Sequence, residues 1–198
     1  MRSESVVFTV AGMCFGIILG WVMGTQQARQ AAPAAPIPAQ AGAPAAPVPV
    51  LDEARVQSLT SIIASDPANA GARVQLANEY YDAEMFDEAI AWYEQALAID
   101  ASLVDASTDL GVSYYYTGQT DRALEQFGYS LGLDPAHTKT LLNQGIVLAF
   151  GRQDIAAAAE AWRQVVAISP DSPEGQTASQ ALQSMTSAEH TGAVAPAP

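Results

Sequence analysis

Three observations in this 198-residue sequence predict an all-α fold behind a membrane anchor. Helix formers, alanine above all, dominate residues 51–185. Within that stretch a set of small, aromatic and apolar residues returns at a step of 34. Ahead of it lie 19 consecutive residues without a charge, Val6 to Gly24. The length suits one modest domain with appendages. The expected order is a tail at 1–5, a transmembrane helix at 6–24, an Ala/Pro-rich disordered spacer at 25–50, a capping helix at 51–69, repeats at 70–103, 104–137 and 138–172, a second capping helix at 173–185, and a disordered tail at 186–198.

At a 1.5 Å rise per residue the uncharged run spans about 28 Å, close to the roughly 30 Å of a bilayer's hydrocarbon. It is longer than a secretory signal's apolar region, and the following TQQARQ offers no A-x-A cleavage site. Met13 stands before Cys14 where a lipoprotein signal wants a small residue. The run reads as an uncleaved anchor. Arg2 and the amino terminus precede it, with Glu4 beside them, and Arg29 follows; the balance favours a cytoplasmic N-terminus and a domain facing the periplasm of a bacterial inner membrane. Gly12, Gly16, Gly20 and Gly24 recur every fourth residue on one helix face, where small residues let helices approach closely in lipid. That face is expected to meet a second copy of the chain or another transmembrane helix. Six prolines in residues 31–50 then forbid a continuous helix and favour polyproline II, reaching up to roughly 60 Å.

The helical body is justified by its repeat. Leu110, Gly111, Tyr114, Gly118, Ala123, Phe127 and Pro135 fit the pattern L-G-x2-Y, A-x3-F, P. One step back stand Leu76, Ala77, Tyr80, Ala89, Tyr93 and Ala96, with Ala101 in the proline slot. One step forward stand Gly145 and Leu148, then Ala158, Trp162 and Pro170, which fit with one residue inserted between the helices. The domain therefore resembles the tetratricopeptide repeat (TPR) family. The resemblance implies a right-handed array of antiparallel helix pairs, A and B, with a concave face lined by the A helices. Small residues at Ala77, Gly111 and Gly145 are expected to let helix A approach helix B of its own repeat closely, and Tyr93, Phe127 and Trp162 to fill the space between neighbouring helix pairs. Leu59, Ile62 and Ile63 are expected to anchor the first capping helix, and Ala181, Leu182 and Met185 the last.

Glu4 is the only acid before residue 51, and Arg2 and Arg29 the only bases, so the rest carries 20 acidic and 6 basic side chains. An acidic surface repels phosphate backbones, which argues against nucleic acid and favours a basic partner. The single cysteine rules out an internal disulfide. His137 in a turn and His190 in the tail are expected to be solvated, and Asp87-Glu88 to sit at a helix start where the dipole favours them. No phosphate loop, nucleophile elbow, cofactor fingerprint or metal-ligand motif is present, so the sequence points away from an enzyme and requires no cofactor.

Carried over from the family, the groove positions are Val74, Asn78, Tyr81 and Asp82; Thr108, Val112, Tyr115 and Tyr116; and Leu142, Ile146, Ala149 and Phe150. Of the first-repeat lysine and asparagine with which chaperone-binding members grip a terminal carboxylate, only Asn78 has a counterpart; Val74 stands in the lysine position. Tyr114 is expected in the core, Tyr115 and Tyr116 in contact with a partner. The implied function is a scaffold binding protein or peptide segments. Anchor, spacer and repeats together are similar to the TPR factors of bacterial cytochrome c biogenesis, which present unfolded apocytochrome to the haem-attachment machinery. A permanent subunit of a membrane complex, an envelope or cell-division adaptor, and a cytoplasm-facing adaptor remain open alternatives.

Overall fold

A computed structural model describes residues 50–192. The anchor at 6–24, its four glycines, nearly all of the spacer, and residues 193–198 lie outside the described residues. Among the described residues no helix is long and apolar enough to cross a membrane. These residues form eight α-helices: α1 Glu53–Ser65, α2 Ala70–Asp82, α3 Phe86–Ile99, α4 Val104–Tyr116, α5 Thr120–Leu133, α6 Thr138–Ile146, α7 Ile155–Ile168 and α8 Pro173–Gly192. The A helices α2, α4 and α6 begin at the three expected repeat starts. Each packs on its own B helix (α3, α5, α7), and α1 and α8 cover the two ends.

The residue types at the 34-step positions explain the packing. Tyr93, Phe127 and Trp162 are buried, as are Ala89, Ala123 and Ala158, each one turn earlier on the same helix face. A Cβ on Gly111 would stand 2.6 Å from the Phe127 ring, and one on Gly145 would collide with the Trp162 indole, so these pairs close only because the side chain is absent. The Trp162 indole N–H donates to the Leu142 carbonyl at 3.1 Å, and the Tyr93 hydroxyl to Asn78 at 2.7 Å. Both polar tips of otherwise apolar bodies are thereby satisfied.

Apolar clusters fill the spaces between helix pairs. Leu59 and Ile63 of α1 meet Ala72 and Leu76 of α2. Ile62, expected as an anchor, is instead 42% exposed, because residues 59 and 63 share the face turned to α2 and residue 62 points off it. A second cluster joins the first two repeats through Tyr93, Leu110 and Phe127. A third joins repeat three to α8 through Leu141, Trp162, Val165 and Ala178, with Ala181, Leu182 and Met185 packed against it. The last helix runs to Gly192, so residues 186–192, expected as tail, continue the cap.

The extra residue of the third repeat is not between its helices. All three A–B connections have three residues (83–85, 117–119, 152–154), each with its middle residue left-handed: Glu84 at φ 57°, Gly118 at 78° and Gln153 at 58°. The insertion is absorbed in helix A, whose end widens into a π-turn, Val147–Gly151, with Arg152 N–H reaching Val147 O at 3.1 Å.

Candidate partner-binding face

The A-helix face is built from α2, α4, the end of α6 and the π-turn. Its sequence-predicted residues divide by burial. Asn78 and Asp82 are exposed, Tyr116 is 51% exposed and Phe150 57%. Val74, Tyr81, Tyr115, Leu142 and Ile146 are half-buried, each with part of its side chain in a core cluster.

Thr108, Val112 and Ala149 do not line the face. Thr108 is fully buried: its hydroxyl lies 2.7 Å from that of Thr140 and donates to the Val104 carbonyl at 2.9 Å. Helix α6 thus closes over the position through a polar contact that the register alone does not reveal. Val112 joins the core of the first two repeats, and Ala149 is drawn into that of the third. His137 is also not solvated. Its Nδ1 lies 2.6 Å from the Thr140 hydroxyl and its Nε2 3.4 Å from Asp105. The Thr108–Thr140 and His137–Asp105 contacts thus put polar groups at the joint between repeats two and three, while Ser107 and Ser130 bond each other at 2.7 Å inside repeat two.

The accessible part of the face is aromatic. Tyr81 meets Phe86 edge-on at 5.5 Å, Phe86 stacks on Tyr116 at 4.5 Å, and Tyr116 touches Tyr115 at 5.9 Å. Phe150 stands exposed on the π-turn beyond them. Phe86 is absent from the sequence-derived set because it opens a B helix. Its aromatic character one connection after Tyr81 was the available signal.

Below the aromatic row lies a charged floor. Asp109, mostly buried, accepts from Lys139 Nζ at 2.8 and 3.0 Å, and Asp105 lies 4.0 Å from the same nitrogen. Burial pushes the Asp109 carboxyl above its ordinary range; Lys139 opposes the shift, and Asp105 and Asp82 add to it. The phenols of Tyr81 and Tyr93 are pushed far up by burial and then by Asp109, so both remain neutral donors. Tyr116 is raised by burial and by Glu84. Asp109 and Lys139 escaped the sequence reading because each adjoins a chosen groove position or repeat start, and only the packed helices show which neighbour faces inward.

On the opposite side, Tyr114 is core, as expected, and its hydroxyl donates to Glu94 at 2.6 Å while Arg122 lies 4.0 Å over its ring. Burial, with the Glu94 bond, pushes this phenol up to about 12 against the pull of Arg122.

Paired antiparallel helices at a 34-residue step, with small-to-aromatic contacts inside each pair, define a helical-repeat scaffold of the tetratricopeptide class. Family models agree: residues 77–118 match the TPR repeat and residues 108–173 the tetratricopeptide repeat. Residues 77–173 are thus matched by tetratricopeptide repeat models. Among curated proteins, the Protein adenylyltransferase Fic of Drosophila erecta is 29% identical over 96 residues, covering 48% of this chain and 19% of the relative. The chain thus spans about a fifth of that relative's length, and the match is confined to the repeats. Among solved structures, MamA superposes with a TM-score of 0.56 at 16% identity, covering 70% of this chain and 88% of that one. The first TPR of Spaghetti (RPAP3), bound to the HSP90 peptide SRMEEVD, superposes at 0.55 and 21% identity, covering 61% and 93%. These likenesses establish the fold.

Proposed function

We propose that the chain is a non-enzymatic scaffold that holds a protein or peptide segment on the face of its A helices. The observation that carries this reading is the aromatic row Tyr81, Phe86, Tyr116 and Tyr115 on that face, with Tyr116 and Phe150 open to water. Exposed aromatic rings contribute large apolar area at little conformational cost, which suits peptide recognition. A peptide-bound TPR structure of the same fold supports it. The double variant Tyr115→Ala, Tyr116→Ala is expected to weaken partner capture about tenfold or more with far-UV circular dichroism unchanged. Undiminished capture by the folded variant rules out the assignment.

The reading extends to a membrane-tethered assembly factor, working on an envelope or respiratory complex such as the cytochrome c system. Its support is the uncharged run at 6–24 and the proline-rich spacer. An alkaline phosphatase fusion at the C-terminus is expected to be active, and an inactive fusion sinks the periplasmic placement. Leucines at Gly16 and Gly20 are expected to abolish association through the anchor; unchanged association removes the glycine face from the proposal.

A further inference from the structure

The chemistry of the A-helix face says which segment it would hold, an inference that rests on the peptide-binding reading above and deepens it. Three carboxylates, Asp82, Asp105 and Asp109, lie on or under the face, against one ammonium, Lys139. That ammonium is already engaged, 2.8 Å from Asp109 and 4.0 Å from Asp105. The other cations among the described residues are committed elsewhere. Arg55 pairs with Glu79, Arg122 with Glu94, Arg152 with Asp121 and Arg163 with Glu160, while Arg73 donates to the Asn69 carbonyl.

A ligand carboxylate arriving here could reach Lys139 only by taking it from Asp109, leaving a mostly buried carboxylate without its partner. A ligand cation meets the opposite situation. Asp82 is exposed at the end of α2 and makes no ion pair with any described residue. It sits beside Tyr81, from which the aromatic row continues through Phe86 to Tyr116. A guanidinium or ammonium near such rings gains from both the carboxylate and the negative ring faces. The acidic body would also steer a cationic segment inward.

We propose that the bound segment is a cationic peptide stretch, an arginine or lysine beside an apolar residue, with its cation at Asp82 and its apolar side chain on the Phe86–Tyr116 stack. The face is thereby a reader of positive side chains, with charge opposite to what recognition of a terminal carboxylate requires.

The test measures binding of the full-length chain to immobilised peptides in which Arg, Gln or Glu alternates with Leu and Phe, all amidated at the C-terminus, with a free-acid Glu series alongside. The Arg peptides are expected to bind about tenfold or more tighter than the Gln peptides and the Glu peptides weakest, with the preference shrinking as salt rises. Asp82→Asn, exposed and outside the core, is expected to erase most of the Arg-over-Gln preference with far-UV circular dichroism unchanged. Equal binding of Arg and Gln, preference for either Glu series, or an Arg preference untouched by Asp82→Asn overturns the proposal. In those cases loss of binding in Tyr115→Ala, Tyr116→Ala keeps the face as a peptide site. Binding indifferent to that double variant, or no binding by any series, overturns the peptide-site reading as well.

Discussion

At Gly111 the Phe127 ring occupies the space where any side chain would begin. Gly111 is buried and Phe127 is fully buried in the cluster that joins the first two repeats, so the ring has no open side to move into. Gly111→Leu is therefore expected to cost about 3 kcal/mol or more, read as a lower denaturation midpoint. A wild-type melting curve contradicts this packing. Lys139 and Asp109 give a prediction with a pH sign. Burial raises the folded-state pKa of Asp109, and Lys139 holds that rise down. Lys139→Met removes the restraint, so folding then disfavours the charged carboxylate more strongly. The variant's deficit, about 1–3 kcal/mol at neutral pH, is expected to shrink as pH falls through the raised folded value toward the unfolded one, where the carboxyl is protonated in both states. Urea titrations at neutral and mildly acid pH measure it, and a deficit that grows on acidification contradicts the assignment.

Each junction between one repeat and the next is a turn built on aspartate. Asp66, Asp100 and Asp134, 34 residues apart, accept from the backbone N–H two residues on, at 3.3, 3.0 and 3.0 Å. At Asp100, hydrogen bonds from Ser102 hold the carboxyl below its usual range. Proline follows in two of these turns, at Pro67 and Pro135, and Ala101 stands in the third. Asp100 has φ −134° and ψ 97°, close to the −137° and 96° of Asp134 before its proline, which is the extended conformation a following proline demands. Ala101→Pro is thus expected to stabilise the chain by about 0.4–1 kcal/mol by restricting the unfolded state; a lower melting temperature contradicts the equivalence of the turns. The helices and the small and aromatic positions were legible at this scale, because they follow from residue types at fixed spacing; that Phe127 and Trp162 pack on the glycine of their own pair, rather than between pairs, was not. The π-turn was legible only as an extra residue. Whether a loop or a helix end absorbs an insertion depends on which distortion costs less against the neighbouring helix.

An array of stacked pairs leaves apolar surface at each end unless something covers it. Helix α8 does so for the third repeat, with Ala178 fully buried and Leu182 and Met185 packed beside it over the cluster of Trp162 and Val165. Truncation after Asp171 is expected to lower the melting temperature by roughly 10 °C or more and to promote aggregation through the uncovered face. Calorimetry and light scattering check both, and an unchanged transition shows that the cap is dispensable.

For the molecule as a whole, the sequence by itself determined the helical class, the 34-residue step, the repeat boundaries and the acidic charge, since these depend on composition and spacing along the chain. The binding face was legible only in part. Of the residues the register picks out, Asn78, Asp82, Tyr116 and Phe150 are exposed and Tyr81 half-buried, whereas Thr108 and Val112 are closed over and Phe86, Asp109 and Lys139 come in beside them. Only the tertiary structure decided this, because a periodic pattern fixes the direction in which a side chain leaves its own helix. How closely the next helix packs against it then decides whether that side chain meets water or the core.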